Sequence, residues 1–510
     1  MNRKNLTAAV LAGLAGVAGI VGSAQAVNIN PDGLGQVLIY PYYTVNGGNS
    51  TLLSVVNTTG NTKAVKVRFT EGQNTREVLD FNLYMSMYDV WTAAITNKDG
   101  TPTLVTNDTT CTVPYIYGNG GSQEFLPYAL TDGGSTDISR ATEGHFEMIE
   151  MGVIENATIS DIAATHINGV PGPDGLGCDV LVAAWTDHTD PALAGYWIMD
   201  PIKDFDLEGP TGGLFGGAAI VNVAKGTMFS YDAKAINGFA DSVLGNDGFL
   251  HQEPGKVLPS LNSGNIGIGT VFLDNGNTHT AVGGTRPVDA VSMVFMHDYV
   301  MNEYTTEAAV SAGTEWVMTF PTKHFYVYGP SAAPELPEVP PFTSIWVPEF
   351  ADQAACELVM LDTIWDREER EIVDPVNPGE PIPPIVSPAP PDLPPPTNPE
   401  IPLELCYEVS VIAFGPADGD TTAILGSSNF HNIDNSLLGF EYGWARIDFA
   451  GWEYDLNGDG VIANVPDSLE IFQRTPLGGL VGLPVTGFAV QKFENGFLDG
   501  NTLADRKSVV

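Results

Sequence analysis

Positive charge is scarce in this sequence. Its 510 residues hold 21 lysines and arginines against 62 aspartates and glutamates, a formal net charge of −41. Such a chain repels nucleic-acid phosphates and anionic lipid head groups, which argues against both as partners, and it attracts divalent cations. Cysteine is scarce too: only Cys111, Cys178, Cys356 and Cys406, with no C-x-x-C pair. That excludes a zinc ribbon and a thioredoxin-type redox site. After residue 26, no apolar run is long enough to cross a bilayer as a helix. Short strand candidates and a long Pro-rich insert weigh against an outer-membrane barrel. H-E-x-x-H, G-x-S-x-G, Walker A and a clear dinucleotide fingerprint are all missing, so no familiar signature names a reaction. With 62 acidic residues, the two carboxylates of a glycosidase are no test.

What is present begins with a leader. Arg3 and Lys4 precede an uncharged apolar run from Leu6 to Val21, which closes on Ser23-Ala24-Gln25-Ala26. This is the tripartite pattern of a secretory signal peptide, so residues 1–26 are expected to be removed and the mature chain to start near Val27. The mature chain then carries 19 basic residues against 62 acidic ones, a net charge near −43. Disorder would need low hydrophobicity beside that charge, but 43% of residues are hydrophobic and only 16% are charged. Most of the chain can therefore bury a core. In an exported protein an even cysteine count favours two disulfides. Three pairings are open, of which Cys111 with Cys178 and Cys356 with Cys406 keeps each bridge local.

Period-2 alternation dominates the mature chain. Thr51 to Val56 and Ala64 to Phe69 flank the turn residues Asn57 to Thr62, which predicts a hairpin. In the second run Val65, Val67 and Phe69 share one face, and Lys66 and Arg68 the other, which predicts one buried face and one wet face. Val78 to Met85 reads as a third strand, and His145 to Met151 and Val291 to Met296 as further ones. Helical periodicity is rare; Ala351 to Asp366 is the one candidate, with Ala355, Leu358, Val359 and Leu361 to Ile364 as its apolar stripe. The expected fold is mainly β, with antiparallel β-sandwich domains, a Pro-rich loop or linker and few helices. The expected divisions are an N-terminal sandwich region over 27–140, a second β-rich region over 141–330, and a connector with a short helix over 331–373. A Pro-rich acidic segment over 374–405 and a C-terminal β-rich region over 406–510 complete the order. Thirteen prolines fall between Pro375 and Pro402, which forces polyproline II or extended coil. A Cys356–Cys406 bridge would make this segment a tethered loop instead of a linker.

The sharpest local motif is Asp455-Leu456-Asn457-Gly458-Asp459-Gly460-Val461-Ile462. Asp455, Asn457 and Asp459 place side-chain oxygens at positions 1, 3 and 5 of a calcium loop, and Val461 offers its carbonyl at position 7. Pro466 occupies position 12, where an EF-hand has glutamate, so Asp467 is the expected substitute, with Glu470 as the other option. Calcium is the expected ion, in a structural role. Leu483-Pro484-Val485-Thr486-Gly487 spells a sortase signal, but charged residues come after it where an apolar span is required. His145, Glu147 and Glu150, Asp187 with His188, and His251 with Glu253 are metal-capable pairs without zinc spacing, and solvated strand faces explain them better. Trp185, Trp197, Trp346, Trp444 and Trp452 could form a sugar-stacking face, or serve as core residues.

The opening from Gly33 to Tyr43, continued through Val55-Val56-Asn57-Thr58-Thr59, resembles a group of exported proteins of Gram-negative bacteria with no established activity. A fainter echo lies in Pro484 to Val490. The resemblance implies an envelope or extracellular setting and nothing about catalysis. The leading functional expectation is a secreted acidic surface or extracellular-matrix protein, S-layer-like or adhesive, stabilised by calcium. Its partners would be itself, other envelope components or polysaccharide, at the cell surface or outside the cell, with the periplasm as an option. A carbohydrate- or ligand-binding sandwich is the alternative, for which exposed aromatics on one sheet would discriminate. A secreted hydrolase comes third, supported by no motif.

Overall fold

The computed structural model describes residues 26–510 except 174, 191–192, 201–205, 242–249, 329–339, 347–354, 369–400, 416–418, 434–437, 451–475, 495–496, 499–501, 504–505 and 510. The chain is mainly β, built from antiparallel sheets with few and short helices. Its N-terminal sandwich has two sheets. The larger orders its strands as 28–29, 234–237, 37–44, 143–154, 62–71, 77–85 and 111–113, with 207–208 alongside 143–154. The smaller runs 227–232, 214–222, 50–57, 90–98, 101–105 and 122–124. Between them Val65, Val67, Phe69, Phe146 and Met148 meet Leu53, Val55, Trp91 and Ile95 in one apolar core. Tyr40 stacks on Phe146 with ring centroids 4.2 Å apart.

Four local expectations require correction. Val291 to Met296 is not a strand: 291–294 ends the helix Pro287–Val294, and only Met296 enters a two-residue strand. The runs around Asn57 to Thr62 do not pair with each other: 50–57 bonds to 214–222 and 90–98, whereas 62–71 bonds to 143–154 and 77–85. The turn carries the chain from one sheet to the other, because each strand finds a better-matched neighbour elsewhere in the sequence. The division near residue 140 runs through the larger sheet, since Glu143–Ile154 lies between Val37–Thr44 and Thr62–Glu71 and bonds to both. Lys66 and Arg68 do not face water. Ala64 and Ile149 on their face belong to a second core, made with helices 159–164, 178–184, 196–199 and 287–294. This layer covers the outer face of the larger sheet. The Cys111–Cys178 disulfide ties strand 111–113 to helix 178–184 within it.

The C-terminal part is a second sandwich. One sheet orders 299–305, 442–448, 357–366 and 401–405; the other 430–433, 409–414, 313–319, 486–494 and 506–509. Trp316, Val359, Leu361, Ile364, Ala445 and Ile447 fill its core. The expected helix over Ala351 to Asp366 is instead the strand Glu357–Asp366, with 351–354 outside the described residues. A bulge between Leu361 and Thr363 is the cause of the helical signature. It breaks the alternation, so the inward residues fall at 359, 361 and 364, a spacing that mimics a helical stripe. Strands 357–366 and 401–405 are antiparallel neighbours, and the Cys356–Cys406 disulfide joins their open ends. The Pro-rich segment therefore leaves and re-enters one hairpin, although residues 369–400 themselves lie outside the described residues. Closing about 50 residues in this way contributes roughly 4 kcal/mol by limiting the unfolded chain.

The two sandwiches share packing. Val317, Val409, Val411 and Val490 join the core of the N-terminal sandwich, and Phe488 stacks on Tyr231 at 4.6 Å. Polar contacts reinforce the junction: Thr319 Oγ1 donates to the Pro41 carbonyl, and Ser428 N to Glu143, which also accepts from the Tyr42 hydroxyl. In the same region Arg140 forks onto Glu71 and Asp132, with all four nitrogen–oxygen contacts between 2.7 and 2.9 Å and Trp346 against the guanidinium.

Candidate functional site

Strand 442–448 alternates cleanly. Ala445 and Ile447 are fully buried, so Tyr442, Trp444 and Arg446 point to the opposite, outer face of the four-stranded sheet. Register then gathers their neighbours. Trp365 lies directly across from Trp444 on one side, Glu303 on the other, and Met301 opposes Arg446. The two indoles stack at 4.0 Å with planes 19° apart. Gly443 permits this approach, since a Cβ there would collide with the Trp365 carbonyl oxygen. Arg367 lies over the Tyr442 ring at 4.1 Å, and Arg446 over Tyr299 at 4.2 Å. Arg446 also donates through Nη2 to Asp448, while its buried Nε has no hydrogen-bond partner among the described residues. The Tyr299 hydroxyl donates to Asp274, whose carboxylate raises the phenol above its ordinary range.

Four half-buried rings and two guanidinium groups therefore share one sheet face. One face of each ring is already covered, the indoles by each other and the phenols by guanidinium groups. This leaves ring edges and outer faces among hydrogen-bonding groups, a chemistry that suits a sugar with apolar faces and hydroxyl edges. Beside it lies a cleft of about 720 Å³ between the end of helix 287–294, strand 268–272, the segment 479–485, and strands 299–305, 313–319 and 486–494. Phe272, Phe295, Met301, Trp316 and Phe488 are among its lining residues, and Lys234 and His297 stand at it.

The metal-capable residues have other work. His145 and Glu147 do share a face, but Glu147 pairs with Arg68, and His145 meets the Thr70 hydroxyl. Burial first, then the charge of Arg68, lowers His145 to about 3. Glu150 pairs with Lys63 at 2.5 Å and accepts from Gly212 N. His251 is buried among Tyr84, Trp185 and Trp197, within hydrogen-bond reach of the Tyr84 hydroxyl. Trp185 and Trp197 are thus core residues, Trp346 packs on Arg140, and of the four described tryptophans of that set Trp444 stands on the aromatic face; Trp452 lies outside the described residues. Both disulfides form with the local pairing. Asp455, Asn457, Asp459, Val461 and Asp467 all lie outside the described residues. Among the described residues, the one convergent group of metal-capable atoms is Cys356, Glu404 and Cys406, whose sulfurs are already joined to each other. No described helix is long and apolar enough to cross a membrane.

Trp365, Tyr299 and Arg446 were not legible as site residues, although the alternation Tyr442-x-Trp444-x-Arg446 was a usable signal. Their partners come from strands far apart in sequence, which only the register brings together. No family model, curated protein or solved structure matches the chain.

Proposed function

We propose that this is an exported, acidic, adhesive protein of the cell surface or extracellular matrix, which holds polysaccharide on the aromatic face of its C-terminal sandwich. The observation that carries the reading is the stacked Trp365–Trp444 pair with Tyr299, Tyr442 and Arg446 on one sheet face. Export is supported by the leader pattern, by the likeness of the mature N-terminus to exported proteins of Gram-negative bacteria, and by two disulfides of the kind that persist in oxidising compartments. The ligand is a neutral or anionic glycan. An acidic chain repels polyanions in general, and Arg367 and Arg446 offset that on this face only in part, since Glu303, Asp448 and Asp274 stand beside them, so a neutral glycan is the favoured ligand.

Retardation of the mature protein in gels containing alginate or soluble cellulose derivatives tests the reading. The wild type is expected to be retarded by at least one of them. Trp444→Ala and Trp365→Ala should each weaken retention about tenfold, in line with an aromatic anchor at a binding face. Equal retention of wild type and both variants would contradict it. Calcium belongs to the same proposal: the Asp455 to Ile462 loop is to bind the ion as a structural support. EDTA should then lower the melting temperature of the wild type, and not that of the Asp455→Ala, Asp459→Ala double variant.

A further inference from the structure

The smaller sheet of the N-terminal sandwich has an outer face that nothing among the described residues covers. Leu52, Val90, Phe215 and Met228 stand on it at 45, 46, 39 and 58% exposure. They are rows of one surface. Phe215 pairs with Val56 and Ala219 with Leu52; Val56 pairs with Val90 and Val221 with Met228. Between these side chains the outward positions are small or carry a single hydroxyl: Gly217, Ala219 and Ala94, with Ser50, Ser54, Thr92, Thr96 and Ser230. Over the outward positions of 50–57, 90–96 and 214–222 there is no charged residue, in a chain whose mature net charge is near −43. Charge appears at the rim, as Lys98, Glu124 and Asp232, and as Asp108, which accepts from Thr92 N and Oγ1. A solvated antiparallel sheet normally turns charged and polar residues outward, and a centre without charge that exposes Leu52, Val90, Phe215 and Met228 marks an interaction site.

We infer that this face is where a second copy of the chain docks, sheet against sheet about a two-fold axis. Two observations choose that occupant. The first is charge. Two copies this acidic repel each other over most of their surfaces, and the face without charge is where they can approach; a cationic partner would seek the acidic surface instead. The second is area and shape. Four strands at about 4.8 Å spacing and about eight residues at about 3.3 Å give roughly 500 Å² per copy. Two copies then bury about 1,000 Å², the threshold of a specific interface. Gly217, Ala219 and Ser54 leave the surface flat enough for sheets to pack about 10 Å apart. The inference rests on the reading of this chain as a surface or matrix protein only for its purpose, and not on the aromatic face.

Sedimentation equilibrium of the mature protein in EDTA, over a series of concentrations and sodium chloride levels, tests it. The wild type is expected to dimerise without calcium, and more tightly as salt screens the repulsion. Leu52→Asp and Phe215→Asp should weaken dimerisation about tenfold or more, because each puts like charges opposite each other across the axis. Val90→Lys provides a second route should either variant fail to fold, and Val257→Asp, exposed on a distant loop, should behave as wild type. A monomer at every concentration would overturn the inference, as would face variants that dimerise like the wild type. So would a monomer that captures a glycan or another envelope protein through Leu52 and Phe215. Trp444→Ala separates the two readings: it should dimerise normally while losing the polysaccharide.

Discussion

The two sheets of the N-terminal sandwich treat charge in opposite ways. On the outer face of the larger sheet stand Lys66, Arg68, Glu77, Asp80 and Glu147, and that face is covered. On the outer face of the smaller sheet the central strands carry no charge, and no described element covers that face. Ions under a second layer must be matched, and these are: Lys66 reaches Asp80 at 2.5 Å, and Arg68 bridges Glu77 and Glu147 across three neighbouring strands. A buried pair is worth little more than a well-packed apolar pair, so the gain is in selectivity of register. A one-residue slip of strand 62–71 would turn both cations into the apolar core. The bare sheet needs no such lock, because its side chains are small or apolar and keep the face free for contact.

The largest way to break this contrast is to strip one ion from the covered face. Arg68→Met leaves Glu77 and Glu147 buried without their cation and should cost roughly 3–5 kcal/mol of unfolding free energy in a denaturant titration. A loss below about 1 kcal/mol would mean that solvent reaches the face.

A smaller effect comes from acid. His324, pressed against Asn74 and Tyr328, is lowered to about 4 by burial and by the charges of Arg76 and Arg68. With a folded pKa below the unfolded value, the unfolded chain takes up protons first, so the histidine withdraws stability as pH falls from about 6.5 towards 4. His324→Gln should therefore gain about 2 kcal/mol relative to wild type between pH 6.5 and 5. Glu77 has the opposite sign: burial pushes it up to about 7 against the pull of Arg68, with Asp80 adding to the rise. Its contribution is present below about 4.5 and lost as pH rises through about 7, so Glu77→Gln should shift the curve the other way. Parallel stability curves for wild type and both variants would show that neither group is covered.

The smallest effect belongs to the bare sheet. Leu52→Asp and Phe215→Asp should lower the stability of the monomer by about 1 kcal/mol, whatever they do to association.

The legible part of this fold was the part that alternation controls. The β class, the strands 50–57 and 62–71, and the inward Val65, Val67 and Phe69 follow from period 2. The disulfide pairing agrees with proximity in sequence, the local option of the three. Strand partners were not legible, since 143–154 enters the sheet after four strands of the other sheet have been laid down. Alternation says that Lys66 and Arg68 share a face; it cannot say that the segment around Glu253, whose carbonyl accepts from Lys66, will return to cover it. Strand 357–366 was lost to a bulge, one extra residue that converts a period of 2 into apparent helical spacing. At the site, Trp444 was visible because it sits on an alternating strand, whereas Trp365 becomes its partner only through the cross-strand register.

Amine labelling of the native mature protein, read residue by residue by mass spectrometry, tests the buried ionic face most directly. Lys63, Lys66 and Lys323 are buried, whereas Lys98, Lys234 and Lys256 are exposed on the same molecule. The account predicts prompt modification of the exposed three, with Lys66 and Lys63 modified only after denaturation. Lys66 reacting as fast as Lys256 in the folded protein would contradict it.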